Sequence, residues 1–172
     1  MKTFKYFMTL GTIGLVALGS AQLVQAAGGD KDIFVGALIG LTDVSNNVGT
    51  GLGFEAEAGY FFLDPFGFGI YVRRGNHTAD ITSVFYGGEF FYRLNMVLQG
   101  LRAGAILGAG SFNANGVGGN SALEIGFKGA YDYFLPIDLP ISIGADIALT
   151  WTKPGDSTLT MFTPMLTGRW WF

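Results

Sequence analysis

The stretch MFTPMLTGRWWF, residues 161–172, alternates between two kinds of side chain. One parity is apolar apart from Gly168, and the other is mostly polar. The apolar parity consists of Phe162, Pro164, Leu166, Trp170 and Phe172. The other parity consists of Thr163, Met165, Thr167, Arg169 and Trp171. Because successive side chains of a β-strand point to opposite faces, this period of two predicts a strand with one apolar face and one mostly polar face.

The end of this strand carries a second signal, the pair Trp170-x-Phe172. In this feature the chain resembles the small outer-membrane β-barrels of the OmpA/OmpX type, whose closing strand ends in Phe with another aromatic residue two positions earlier. The resemblance implies export to the bacterial outer membrane. It also implies that Trp170 and Phe172 form a C-terminal assembly signal for the barrel-assembly machinery. A soluble protein that finishes on an amphipathic strand is the alternative that this stretch alone leaves open.

Composition favours a membrane protein over a soluble one. Charged residues make up 13% of the chain, about half of the usual quarter, and there are 28 glycines. The chain has no cysteine, which excludes disulfides, a thiol nucleophile and thiolate metal ligands. A formal net charge of −3 gives no electrostatic case for nucleic-acid binding.

Residues 1–26 have the features of a secretory signal peptide. Lys2 and Lys5 give a positive start, an apolar run follows over 10–18, and Val24-Gln25-Ala26 supplies small residues for cleavage. The apolar run is shorter than the roughly 20 residues that a membrane-spanning helix needs. The sequence therefore predicts a signal peptide over 1–26 and a single barrel domain over 27–172.

The rest of the chain alternates in the same way as its last segment. Turn-like sequences separate the alternating segments, which cover residues 33–41, 52–62, 66–73, 84–94, 101–108, 123–133, 141–151 and 161–172. An even number of strands, each about ten residues long and joined by hairpins, is typical of transmembrane barrels. The predicted fold is all-β, an eight-stranded antiparallel up-and-down transmembrane β-barrel.

The polar parity of these strands carries acids and bases in nearly equal number among small residues. These charged residues are Glu55, Glu57, Arg73, Glu89, Arg93, Arg102, Glu124, Lys128, Asp132, Asp146 and Arg169. An eight-stranded barrel has an interior just wide enough for side chains, and buried charges need partners. The pattern predicts a salt-bridged interior that plugs the barrel; a water-filled conduit is the alternative.

Aromatic residues of the apolar parity collect near strand ends, as in the aromatic girdles of membrane barrels. One predicted rim holds Tyr60, Phe62, Phe66, Phe68, Phe90, Tyr92, Tyr131, Tyr133, Trp170 and Phe172. The other holds Phe54, Tyr86, Trp151 and Phe162. Pro164 interrupts the closing strand, where it removes a ladder hydrogen bond, and a β-bulge is expected there.

The single histidine, His77, is the only candidate for catalysis. Ser83 and Asp80 are near it in sequence, but no recognised motif frames them as nucleophile and acid. His77 is therefore interpreted as a solvated residue of the loop over 74–82. No catalytic, cofactor-binding or metal site is expected.

Three functions follow from these expectations. The first is a non-enzymatic outer-membrane barrel with a plugged interior, serving envelope integrity or surface interaction. The alternative is a small pore or transporter for ions or small hydrophobic molecules, as in OmpW-like barrels. A lipid-modifying enzyme at the rim is the third and is disfavoured. The expected partners are outer-membrane lipids and the barrel-assembly machinery, with no nucleic acid; the sequence identifies no extracellular partner.

Overall fold

A computed structural model describes residues 33–45, 48–77, 80–114, 119 and 121–172 of the chain. The predicted signal peptide over 1–26 lies outside the described residues. The described part of the chain has no helix that is both long and apolar enough to cross a membrane.

Eight antiparallel strands, each paired with its neighbours in chain order, form a closed barrel. They are β1 (Ile33–Val44), β2 (Gly49–Leu63), β3 (Phe66–Asn76), β4 (Ile81–Arg93), β5 (Leu101–Ala114), β6 (Ser121–Phe134), β7 (Ile141–Thr152) and β8 (Leu159–Trp171). The barrel closes where β8 pairs with β1, from Phe34↔Trp171 to Val44↔Met161. The predicted fold is confirmed.

The two ends of the barrel differ in their connections. The end where β1 begins and β8 ends also carries the turns β2–β3, β4–β5 and β6–β7, and we call it the terminal end. The opposite end, with the other four connections, is the loop end. Most strands extend further towards the loop end than the sequence pattern predicts. Their added residues do not follow the apolar alternation, but they still pair because the hydrogen bonds of a β-ladder need only backbone groups. Thr50, for example, pairs with Asp43 beyond the point where the apolar alternation of β2 begins.

Side chains alternate between the outside and the inside of the barrel along most of each strand, and the β2–β3 ladder has a register shift between Phe61 and Leu63. The outward face is apolar: Ile39, Leu107, Ile125 and Phe127 are all more than half exposed in the isolated chain. A continuous apolar exterior of this kind is far larger than the patches that soluble monomers present to water, and it suits contact with lipid.

Pro164 is accommodated without the expected β-bulge. Its pairing with Ile147 of β7 stays in register, and β1–β8 pairing has the same register on both sides of it, at Gly40↔Met165 and Asp43↔Phe162. Only the pairs opposite Leu41 and Thr42 are missing from the β1–β8 ladder. The prediction of a bulge was wrong because the ring needs only the loss of local hydrogen bonding, which the intact β7 side tolerates.

Candidate functional site: the barrel interior

The interior is filled by three layers stacked along the barrel axis. At the terminal end lies the terminal aromatic layer of Phe34, Phe61, Phe91, Phe134 and Trp171. At the loop end lies the loop-end apolar layer of Val44, Phe85, Ile106, Ala122, Ala148, Leu159 and Met161, with Val48 and Phe112 against it. Between them lies the charged layer of Glu55, Glu57, Arg73, Glu89, Arg102, Glu124, Lys128, Asp132, Asp146 and Arg169. The order is visible along single strands: β4 carries Phe91, Glu89 and Phe85 in turn.

Lys128 is the centre of the charged layer. Its Nζ lies 2.7 Å from Glu55 Oε1, 2.8 Å from Glu57 Oε2 and 3.1 Å from Glu89 Oε1. Asp146 Oδ2 is a fourth carboxylate oxygen, 3.2 Å away. One ammonium therefore contacts four carboxyl groups, which would repel one another if all were ionised.

Arg169 is the second hub. Its Nε donates to Glu57, its Nη1 to Asp132 Oδ1 at 2.6 Å and its Nη2 to Asp146 Oδ2 at 2.5 Å. These carboxylates come from β2, β6 and β7, so one guanidinium on β8 ties three other strands together. The fork of donors on a planar guanidinium is what makes such a multidentate arrangement possible.

Glycine allows Arg169 to reach β2 across the intervening strand. In the β1 ladders Gly36 pairs with both Glu57 and Arg169. A Cβ at Gly36 would lie 2.9 Å from Glu57 Oε1 and 3.0 Å from Arg169 Cγ. The absence of a side chain on Gly36 therefore leaves the space that this ion pair occupies.

Arg73 joins the charged layer to the loop-end apolar layer. It pairs directly across the strands with Glu55, with 2.6 Å between Nε and Oε2, and its Nη1 donates to Glu124 Oε1 at 2.9 Å. The Tyr71 hydroxyl donates to the other Glu124 oxygen at 2.5 Å, while its ring packs in the apolar layer. A buried carboxylate is thereby satisfied at both oxygens.

Arg102 joins the charged layer to the terminal aromatic layer. Its Nε lies 3.3 Å from Asp132 Oδ2, and its guanidinium lies over the Phe34 ring, 4.5 Å from the centroid. Phe91 and Trp171 flank the same cation at 5.3 and 5.9 Å. Cation–π contacts partly replace the water that this buried group has lost.

Arg93 is the predicted interior residue that lies at the edge of the lumen, beside the terminal aromatic layer. Its guanidinium lies at the terminal end, 3.4 Å from the centroid of the Phe61 ring and 3.5 Å from Asp64 Oδ1. The Asp64 side chain is 72% exposed. Arg93 is the last residue of β4, and Asp64 belongs to the β2–β3 turn. The structure brings together all the other predicted interior charges.

The carboxylates of Glu55, Glu57 and Glu89 approach one another as metal ligands do, with one oxygen of each within 4.8 Å of the others. The Lys128 ammonium lies among the same three groups at 2.7–3.1 Å. The cation that this cluster holds is therefore a side chain of the protein itself.

His77 lies inside the loop end of the barrel, and its interpretation as a solvated loop residue was wrong. It directly follows β3, continues the inward parity of that strand and is 8% exposed. Its Nε2 lies 2.8 Å from the Ser83 Oγ of β4. Burial lowers the pKa of the imidazole. Asp43 of β1, whose charge acts on this imidazole, faces outward and accepts a hydrogen bond from Thr50, so it does not complete a catalytic triad with this pair.

The predicted aromatic girdle lies on the outward face. Around the terminal end, Phe66 packs against Phe90 and Tyr92 with centroid distances of 6.0 and 5.1 Å. Tyr60, Phe62, Phe68, Trp170 and Phe172 are exposed at the same end, and Tyr131 and Tyr133 are partly exposed. Towards the loop end, Phe54 and Tyr86 are exposed, and Trp151 and Phe162 are partly exposed.

Sequence reasoning missed the two apolar layers. Phe34, Phe61, Phe91 and Trp171 stand on the inward parity of four different strands, where each looked like an irregularity of the pattern. Their common signal is position: each lies close to the strand end on the terminal side. The lumen is therefore not a polar lining throughout, but a charged layer closed on both sides by apolar side chains.

Comparison with known proteins identifies the fold. No protein-family model and no curated protein sequence matches the chain. Among solved structures, it is similar to Neisserial surface protein A (NspA), with 16% identity and a TM-score of 0.59 over 87% of this chain and 100% of that one.

Two further structures agree. The outer membrane protein Ail of Yersinia pestis, in a phospholipid bilayer nanodisc, is 15% identical, with a TM-score of 0.52 over 83% of this chain and 100% of that one. The outer membrane protein OprG of Pseudomonas aeruginosa is 10% identical, with a TM-score of 0.55 over 83% and 96%. The chain thus has the fold of the small eight-stranded outer-membrane β-barrels.

Proposed function

We propose that the chain is an integral outer-membrane protein whose barrel is closed to ions and solutes, and which serves envelope integrity or surface interaction without being an enzyme. The observation that carries this proposal is the filled interior. Ion pairs as short as 2.5–2.9 Å occupy the middle of the lumen, and an apolar layer covers them on each side. Charges so well paired are poor ligands for a passing ion, since each is already held by a partner.

Electrophysiology tests the closed lumen. The refolded mature chain is inserted into a planar lipid bilayer beside a conducting porin as a control, and a heat-modifiable gel shift establishes that the barrel is folded. We expect no steady current from the folded barrel. Discrete, reproducible open levels would overturn the proposal in favour of the small-pore alternative, with the charged layer as the lining of the pore.

The outward aromatic residues support a role for the barrel-assembly machinery as a partner. Trp170 and Phe172 are 40% and 59% exposed and both face away from the lumen, where another protein can contact them during assembly. The variant Phe172→Ser is expected to refold in micelles as the wild type does but to accumulate less in the outer membrane of cells. The outward Leu166→Ser, on the same strand, is the matched control. Equal loss for both variants would show a general effect of lost apolar surface.

Envelope integrity is tested in cells that lack the gene. Greater uptake of a hydrophobic dye, reversed by the wild-type chain, supports this role. Unchanged uptake leaves surface interaction as the function, to be sought through the connections at the loop end.

A further inference from the structure

The charged layer contains more acid than base. Among the described residues the buried carboxylates are Glu55, Glu57, Glu89, Glu124, Asp132 and Asp146, and the buried cations are Arg73, Arg102, Lys128 and Arg169. Even when Arg93 at the terminal end is counted as a further cation, one carboxylate remains in excess. An uncompensated buried charge is costly enough that such a group is normally neutralised.

The contacts show which carboxylates are strongly held. Glu55 receives Arg73 at one oxygen and Lys128 at the other, and Glu57 receives Arg169 and Lys128 in the same way. Asp132 and Asp146 share the guanidinium of Arg169, and Glu124 is held by Arg73 and Tyr71.

Glu89 is held least. Its ion pair is the 3.1 Å contact with Lys128, whose three donors also serve Glu55 and Glu57 at shorter distances. Its carboxylate oxygen lies within 4.8 Å of oxygens of the same two glutamates, so its negative charge would add repulsion where compensation is weakest. A second observation points to a shortage of donors in the same cluster: Asp146 Oδ1 is buried and has no hydrogen-bond partner.

Two small cavities lie beside Arg102, one bordered by Glu89 and the other by the β4–β5 turn at the terminal end. One of about 10 Å³ is lined by Glu89, Phe91, Arg102 and Lys128, among others. The other, of about 30 Å³, is lined by Asn95, Gln99, Arg102 and Trp171 and lies below the β4–β5 turn. These volumes suit single waters. Arg102 borders both cavities, and its Nε and Nη2 have no hydrogen-bonding partner in the protein, so they can donate to such waters.

We propose that the barrel interior is a proton-binding site and that Glu89 carries the bound proton at neutral pH, exchanging it with water at the terminal end through the cavities beside Arg102. One O–H bond forms on the Glu89 carboxylate while one O–H bond of a hydronium ion in bulk water breaks, which leaves a water molecule and changes no oxidation state. Glu89 Oε1 stays unprotonated and still accepts the hydrogen bond from Lys128 Nζ. The titratable and charged groups that share the interior with Glu89 are Glu55 and Glu57 of β2, Tyr71 and Arg73 of β3, Arg102 of β5, Glu124, Lys128 and Asp132 of β6, Asp146 of β7 and Arg169 of β8.

Infrared spectroscopy of the refolded barrel in lipid vesicles at pH 7 tests the site directly. A protonated carboxyl gives a carbonyl band separate from that of carboxylates. We expect this band in the wild type, its shift when glutamate is labelled with ¹³C at the side-chain carboxyl, and its loss in Glu89→Gln. The exposed acid Asp138, changed to Asn, is the matched control and should leave the band unchanged.

Stability provides an independent readout. Glu89→Gln replaces one neutral group by another of the same shape, so its urea midpoint at pH 7 should match that of the wild type. Glu57→Gln removes a charge that two cations hold, so its midpoint should fall. Absence of the band from the wild type, or its failure to shift with labelled glutamate, would overturn the proposal even if Glu89→Gln does not refold. The infrared result does not depend on whether the lumen conducts, so this test is separate from the electrophysiology above.

Discussion

Arg169 and Met161 lie on the same strand, both inside the barrel and both 1% exposed, yet their surroundings constrain the side chain differently. Met161 packs among Val44, Phe85 and Ile106, where any apolar group of similar volume makes the same kind of contact. Arg169 contacts three carboxylates, each in a fixed direction. The loop-end apolar layer is thus specified by volume, whereas the charged layer is specified by partners.

Removing Arg169 should cause the largest loss of stability. Arg169→Ala leaves Glu57, Asp132 and Asp146 without their shared cation, and breaking a buried pair in this way costs about 3–5 kcal/mol. The free energy of unfolding, from urea titrations of the refolded barrel in micelles, should fall by that amount. Leu166→Ala, on the outward face of the same strand, should lower the free energy of unfolding much less. Equal losses for the two variants would mean that Arg169 acts only by filling space.

Two conservative substitutions test whether the charged layer depends on its partners and the loop-end apolar layer on volume. Arg169→Lys keeps the charge but not the fork of donors, so at least one charge-assisted hydrogen bond should be lost, at about 1.5–3 kcal/mol. Met161→Leu keeps the volume and should cost less than about 1.5 kcal/mol. The same urea titrations measure both, and a greater loss for Met161→Leu would reverse the assignment of the two layers.

Arg93 tests how far the charged layer extends. Arg93→Ala removes an ion pair with an exposed carboxylate and a cation–π contact with Phe61, and it leaves no buried acid of that pair behind. We expect a loss of about 1 kcal/mol, the scale of an exposed pair with one ring contact. A loss as large as that of Arg169→Ala would show that Arg93 neutralises the interior after all.

The smallest effect should come from His77, beside the loop-end apolar layer. Burial lowers its pKa, so the folded barrel prefers the neutral imidazole, and the associated stability is present above the ordinary pKa of 6.5. As the pH falls below 6.5, the unfolded chain takes up the proton first and stability is lost until the folded state also titrates. Urea midpoints of the wild type should therefore fall more steeply with acid than those of His77→Gln. Parallel curves would contradict this.

The fold could be predicted because the barrel repeats one local rule eight times. Alternation and turns are properties of neighbouring residues, and they located every strand. The strand ends were missed at the loop end, because polar residues such as Thr50 and Ser83 continue the ladder after the apolar alternation stops.

The charged residues of the interior could be named from the sequence, but their pairing could not. Only the register of adjacent strands places Gly36 between Glu57 and Arg169, and Lys128 meets Glu55 across the lumen, 73 residues away in the chain. The terminal aromatic layer was missed for the same reason: Phe34 and Phe91 meet at a centroid distance of 5.7 Å only once the strands are staggered and the barrel is closed.

The position of Arg169 on the last strand has a consequence for the order of assembly. Its carboxylate partners lie on β2, β6 and β7, which are all made before β8. A partly built sheet that lacks β8 therefore holds the same interior acids with one cation fewer, and it is poorly suited to enter lipid on its own. The missing cation arrives with the strand that also closes the ring, so the electrostatics of the lumen favour the complete barrel over a sheet that lacks β8.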